Sequence, residues 1–219
     1  MNTTSPVITR STGASTAVAL VIAAVAWFAV GLQYWLMLWR GDSLNETVRF
    51  ASYFTIISNI IVALVCTFVT TGGNASFMAW WRRPRVMAAT AVYILVTGLV
   101  YAALLQRLYH PQGPQLWADM ALHKVVPVAY LLWWAFLTPH GALRWRDAFA
   151  WLVLPAVYLG WTLAHGALSG FYPYPFINVA QLGYPHALLN ALGVGVLFYT
   201  LGLMLVLVDR LLGTKNTAI

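Results

Sequence analysis

Six apolar stretches alternate with short polar connections along this chain, centred near Val25, Ile61, Ile94, Leu131, Leu154 and Leu197. Each approaches the roughly 20 residues that a helix needs to cross the hydrocarbon core of a bilayer. The first, Val18 to Trp39, is too long for the apolar region of a signal peptide, and five more follow it. The pattern predicts an all-α integral membrane protein: six transmembrane helices in one bundle, built as three helical hairpins over residues 17–210. Residues 1–16 are Ser/Thr-rich and read as a flexible cytoplasmic N-terminus, and residues 211–219 as a cytoplasmic tail.

The interruptions of the pattern carry further information. Pro127 and Pro155 fall inside the fourth and fifth apolar stretches, where a missing N–H and a ring clash kink a helix. Ala187, Ala191 and Gly195 recur every four residues in the sixth stretch and Gly202 continues the stripe, a pattern that lets another backbone approach closely. Two connections, LYHPQGPQLW and GFYPYPFINVAQLGYPH, are too rich in proline for continuous helix. The second carries no Lys, Arg, Asp or Glu. It reads either as a lid folded back over the helix ends or as an ordinary interfacial aromatic belt. The connection GGNASFMAWWRRPR places two Trp at the interface and three Arg against anionic headgroups.

Composition agrees with the pattern. Of 219 residues, 61% are hydrophobic and only 8% are charged, against about a quarter charged in a soluble domain. The net charge of +7 sits in short connections and does not signal nucleic acid. Arg10, Arg82, Arg83, Arg85, Arg144, Arg146, Arg210 and Lys215 fall on one side, and Arg40, Arg49, Arg107 and Lys124 on the other. Such a bias puts both termini in the cytoplasm and the connections around residues 41–48, 108–118 and 169–185 outside. The single cysteine, Cys66, excludes an internal disulfide and disfavours a cysteine-based metal site.

Polar side chains concentrate near the outer ends of the spans. Thr55, Ser58 and Asn59 are spaced i, i+3, i+4 and share one helix face. Thr55 lies about 9 Å inside the outer end of its helix at a rise of about 1.5 Å per residue. His123, four residues after Asp119, reaches a similar depth on another helix that starts outside. His165, His186 and Asn190 stand at nearby helix ends, with Tyr174 and Asn178 in the connection between them. Intramembrane polar groups are costly and face protein or a water-filled cavity. Their gathering predicts one outward polar pocket, with almost nothing comparable in the cytoplasmic half.

The chemistry open to this set is acyl transfer. A threonine hydroxyl becomes a nucleophile when a neutral histidine takes its proton. Asp119 is placed to fix the His123 tautomer, and Ser58, Asn59 or Lys124 to stabilise an oxyanion. Each element also has a structural reading. Thr and Ser glue membrane helices together or bond to their own backbone, and Asp119 with Lys124 makes an interfacial ion pair of little worth.

The segments YFTIISN, LHKVVP and YPFIN resemble the androgen-induced-gene-one-like family of six-span membrane proteins, which includes the androgen-dependent TFPI-regulating protein. The resemblance runs from the first span to the last and looks like a bacterial branch. It implies a threonine hydrolase of fatty acid esters of hydroxy fatty acids, with Thr55 as nucleophile, His123 as the essential histidine, no cofactor and no metal. The partners it implies are a lipid substrate and the surrounding membrane lipids, in a bacterial plasma membrane. Two other readings stand beside it. A zinc-dependent ceramidase-like hydrolase would need three outer histidines around a metal, although no HxxxH pair occurs in the chain. A non-catalytic lipid-binding, haem-binding or transport protein would use the same pocket without turnover.

Overall fold

In the computed structural model, which describes residues 13–39, 41–73 and 75–215, six helices are long and apolar enough to cross a membrane. No strand occurs among the described residues. The chain is an all-helical integral membrane protein.

The spans are α1 (Gly13–Leu38), then a short α2 (Ser43–Ala51) leading to α3 (Phe54–Thr71), and α4 (Ser76–Trp81) leading to α5 (Pro84–Val100). A π-helical turn, Tyr101–Leu105, ends the third span. The fourth is composite: α6 (Pro114–Met120), a second π turn (Ala121–Val125) and α7 (Val126–Leu137). The fifth joins α8 (Trp145–Ala150) to α9 (Val153–Ser169), and the sixth is α10 (Val179–Lys215), which kinks at Gly183, where φ is 70°. Helix begins at Gly13 and ends at Lys215. Residues 1–12 and 216–219 lie outside the described residues.

The helices α1, α3, α5 and α7 close a ring around the main apolar core. Trp133, Tyr130, Ile94 and Val62 fill it. Helix α10 leans on α5 and α8, while α9 touches α10 only lightly, which leaves room between the last two spans. The predicted small-residue stripe therefore serves two purposes. Gly202 does admit a neighbour, since a Cβ there would sit 3.2 Å from that of Ala148. Ala191 and Gly195 instead line open space, with nothing within 4 Å of a Cβ built at Gly195.

Pro127 and Pro155 each act through the carbonyl they deprive of a partner. Pro127 cannot donate to the carbonyl of His123, and its ring crowds that turn; the helix widens into the π turn just before it. Pro155 leaves the carbonyl of Trp151 unbonded within the helix, and the hydroxyl of Tyr93 donates to it at 3.0 Å. The span breaks there between α8 and α9.

The end opposite the predicted pocket is not bare of polar groups. His140 lies 3.2 Å from Asp209, whose other carboxylate oxygen accepts the N–H of Leu143 at 2.9 Å. Asp147 accepts the N–H of Arg144 at 2.8 Å and meets Arg85 at 3.3 Å. These buried carboxylates tie the α7–α8 connection to α10 and α8 to α5.

Candidate active site

The site begins with a break in a helix. Between α2 and α3 the chain turns at Ser52 and extends at Tyr53. Three side chains of α9, spaced i, i+3, i+7 on one face, clamp this turn. The hydroxyl of Tyr158 donates to the Ser52 carbonyl at 2.8 Å, the indole of Trp161 donates to Ser52 Oγ at 3.1 Å, and His165 Nδ1 lies 3.2 Å from the same oxygen. Restarting the helix at Phe54 leaves its first N–H groups without intrahelical partners, and Tyr53 offers no side-chain cap. Thr55, the second residue of α3, sits at this positive helix end.

Tyr174 supplies the missing partner. Its phenol oxygen accepts the N–H of Thr55 at 3.2 Å and lies 3.3 Å from Thr55 Oγ1. Tyr174 comes from the aromatic-proline connection, which does fold back over the helix ends: Tyr174 and Ile177 are buried. Tyr172 lies against Gly166, where a Cβ would come within 2.2 Å of its ring. The Asn190 amide donates to the carbonyl of Phe176 at 2.9 Å and pins the same segment. Burial pushes the Tyr174 phenol up from its ordinary value, and hydrogen bonds with Thr55 draw it part of the way back, so it is a neutral donor at physiological pH.

On the other side of Thr55 stands His123, carried by the second π turn. Its Nε2 is 3.3 Å from Thr55 Oγ1. Its Nδ1 is 3.1 Å from the carbonyl of Asp119 and 3.2 Å from that residue's carboxylate. Both partners of Nδ1 only accept, so the proton of a neutral imidazole belongs on Nδ1 and Nε2 accepts from Thr55. The hydroxyl of Tyr101 donates to the second carboxylate oxygen of Asp119. The Tyr101 ring also stacks on His123 at 3.9 Å. Donors then run one way: Thr55 N–H to Tyr174, Tyr174 to Thr55 Oγ1, Thr55 to His123, His123 to Asp119.

Ser58 and Asn59 brace this arrangement from behind. Ser58 Oγ donates to the Thr55 carbonyl at 3.1 Å and lies 2.9 Å from Thr97 Oγ1. Asn59 Nδ2 reaches two carbonyls, that of Thr55 at 2.8 Å and that of Leu122 at 3.2 Å. The second sits in the π turn beside His123, so one amide ties the two helices in register. Neither residue lines either of the two cavities that border Thr55. The hydroxyl of Ser58 and the amide hydrogens of Asn59 are thus engaged by backbone carbonyls and Thr97. Lys124 is exposed and lines neither cavity.

The expected pocket residues divide sharply. Tyr174 is central. His165 belongs to the Ser52 clamp, and Asn190 to the lid. Asn178 Oδ1 accepts the N–H of Gln181 at 3.3 Å, and exposed His186 turns to the carbonyl of Leu182 at 3.2 Å. None of these four lines either cavity at Thr55. Among the described residues no three His, Cys, Asp or Glu side chains gather as metal ligands would.

Two cavities meet at Thr55. One, about 710 Å³, is apolar and lies between α3, α5, α9 and α10. Exposed Phe149, Leu192 and Val196 are among its walls, so it opens sideways between the last two spans. The other, about 370 Å³, holds His123, Asp119 and Tyr101 with Gln33, Tyr53, Tyr109 and Gln115. Thr55, Leu105 and Tyr174 border both.

Comparison with protein-family models, with curated proteins and with solved structures finds no match for this chain. Fold and site together define a six-span helical membrane protein with a hydroxyl–imidazole–carboxylate relay at the meeting point of two cavities.

Proposed function

We propose that this protein is an intramembrane threonine hydrolase of lipid esters. The observation that carries the reading is the Asp119–His123–Thr55 relay where the apolar cavity meets the polar one. The resemblance to the androgen-induced-gene-one-like family adds the finer expectation of fatty acid esters of hydroxy fatty acids. The chain reads as a bacterial plasma-membrane member with its site towards the outer face, in the orientation that the Lys and Arg bias gives.

The acyl chain lies in the apolar cavity, having come sideways through the gap between α9 and α10. His123 Nε2 takes the proton of Thr55 as Oγ1 bonds to the ester carbonyl carbon. The Tyr174 hydroxyl turns from Oγ1 to the carbonyl oxygen, beside the positive end of α3, and donates to the oxyanion. The ester C–O bond breaks, and His123 returns the proton to the departing alkoxide. Water then attacks acyl-Thr55 and gives a proton to His123. The acyl–oxygen bond breaks, the fatty acid leaves, and the proton returns to Thr55. Asp119 holds the imidazole tautomer and balances its charge.

The test is covalent labelling by a fluorophosphonate probe of purified protein in detergent, with the modified residue located by mass spectrometry. Thr55 carries the label, and neither Thr55→Ala nor His123→Ala is labelled although both melt cooperatively. Undiminished labelling of a folded Thr55→Ala variant would refute the assignment.

A further inference from the structure

The polar cavity has a composition that selects the alcohol side of the ester. If Thr55 attacks an acyl group seated in the apolar cavity, the departing alcohol occupies the smaller chamber. No Lys or Arg lines either cavity among the described residues. Of the nearby cations, Arg49 is held by Glu46 at 3.0 Å and lies over the Phe171 ring, while Arg107 and Lys124 are exposed. The chamber's one carboxylate, Asp119, is buried and bonded to Tyr101 and His123. A second carboxylate, or a phosphate, would enter beside a like charge with no Lys or Arg among the described lining residues to pair with it, an arrangement that desolvation penalises.

The remaining polar wall consists of groups that both donate and accept. Tyr53 and Tyr109 present phenols, and Gln115 donates to Gln33 at 2.6 Å to form an amide pair between α6 and α1. Phenols and amides suit a hydroxyl, which also donates and accepts, better than a carboxylate, which only accepts. The chamber's volume of about 370 Å³ is roughly half that of its apolar neighbour at about 710 Å³. It accommodates a compact headgroup more readily than a second long chain.

From this juxtaposition we propose that the leaving alcohol is an uncharged polyol of the glycerol type, so that the substrate class is an acylglycerol, in place of the carboxylate-bearing ester of a hydroxy fatty acid that the resemblance alone implies. The proposal rests on the threonine hydrolase reading. Its step is the first half of that reaction: Oγ1–acyl bond formation, cleavage of the glyceryl C–O bond, and transfer of the Thr55 proton through His123 to the glycerol oxygen.

The experiment compares 1-oleoylglycerol with an oleoyl ester of hydroxystearic acid as substrates of the full chain in detergent, beside fluorophosphonate labelling of Thr55. The glycerol ester is turned over with a kcat/KM at least tenfold higher. In Leu108→Arg, which sets a guanidinium at an exposed position on the chamber wall, the ratio moves at least threefold towards the carboxylate ester. Equal or greater turnover of the carboxylate ester by the wild type overturns the proposal and leaves the Thr55 reading standing. Labelling of Thr55 with neither ester cleaved does the same. Loss of both labelling and turnover in folded protein overturns both.

Discussion

The phenol of Tyr174 accepts the backbone N–H of Thr55 at 3.2 Å while standing 3.3 Å from the same residue's hydroxyl. One side chain from a connecting segment thus completes the N-terminus of α3 and touches the candidate nucleophile. Replacing Tyr174 with Phe keeps the ring stack on Phe176 and removes only the hydroxyl. Loss of one oxyanion donor costs about 10²–10³ in kcat, so Tyr174→Phe lowers kcat by that order with a smaller change in KM. Because burial raises this phenol above its ordinary value of 10.0, its neutral form persists to higher pH than that of an exposed tyrosine. Ionisation of Tyr174 therefore causes no fall in kcat below pH 10, and a steady-state pH profile checks this.

If the proposed relay operates, His123 and Asp119 act in it as one unit and their variants will not add. Removing a general base costs about 10²–10⁴ in rate, which is the expected loss for His123→Ala. Asp119→Asn loses less, since the carbonyl of Asp119 still accepts from Nδ1. The double variant should be no slower than His123→Ala alone, because Asp119 works only through the imidazole. A double-mutant cycle on kcat/KM measures this. Additive losses would mean that Asp119 has a separate role.

The six spans were legible because apolar length is what a bilayer demands of a helix. Their ends were less so: nothing in hydropathy marks the extension of α1 back to Gly13 or of α10 on to Lys215. The Thr55–His123 contact was foreseeable because each is a polar residue in an apolar run, at matching depth. Spacing gives a helix face but not the neighbour that face meets. Ser58 and Asn59 share the face of Thr55, yet they turn to backbone carbonyls and Thr97 rather than to either cavity at Thr55. His165 likewise lies at the right end of α9 but meets the Ser52 turn. Tyr101 gave no signal at all, being one of 11 tyrosines in an aromatic-rich chain. The π turn that carries His123 had one available cue, Pro127 four residues later.

The Ser52 turn should prove both a stability element and a positioning device. Ser52→Ala removes the oxygen that accepts from the indole of Trp161 and that lies 3.2 Å from His165 Nδ1. Losing both contacts costs about 1–3 kcal/mol. Thermal melting in detergent should register a drop of that order. Labelling of Thr55 should slow in parallel, because the turn sets the start of α3. Trp161→Phe, which keeps the stacking surface against His165 and loses one bond, should give the smaller part of both effects.

Gly195 offers the most direct probe of where the acyl chain lies. It lines the apolar cavity, and a Cβ built there meets nothing within 4 Å. A leucine at this position is therefore accepted by the fold and spends its volume in the cavity. If the acyl chain occupies that space, Gly195→Leu shifts the chain-length profile, with turnover of long-chain esters falling at least tenfold while short-chain esters are cleaved at close to the wild-type rate. The thermal midpoint should not fall, since no contact is broken. Gly202→Leu is the contrasting case: its Cβ would press on Ala148 at 3.2 Å, so that variant loses stability without a chain-length signature. A uniform loss across all chain lengths in a folded Gly195→Leu protein would remove the acyl chain from this cavity.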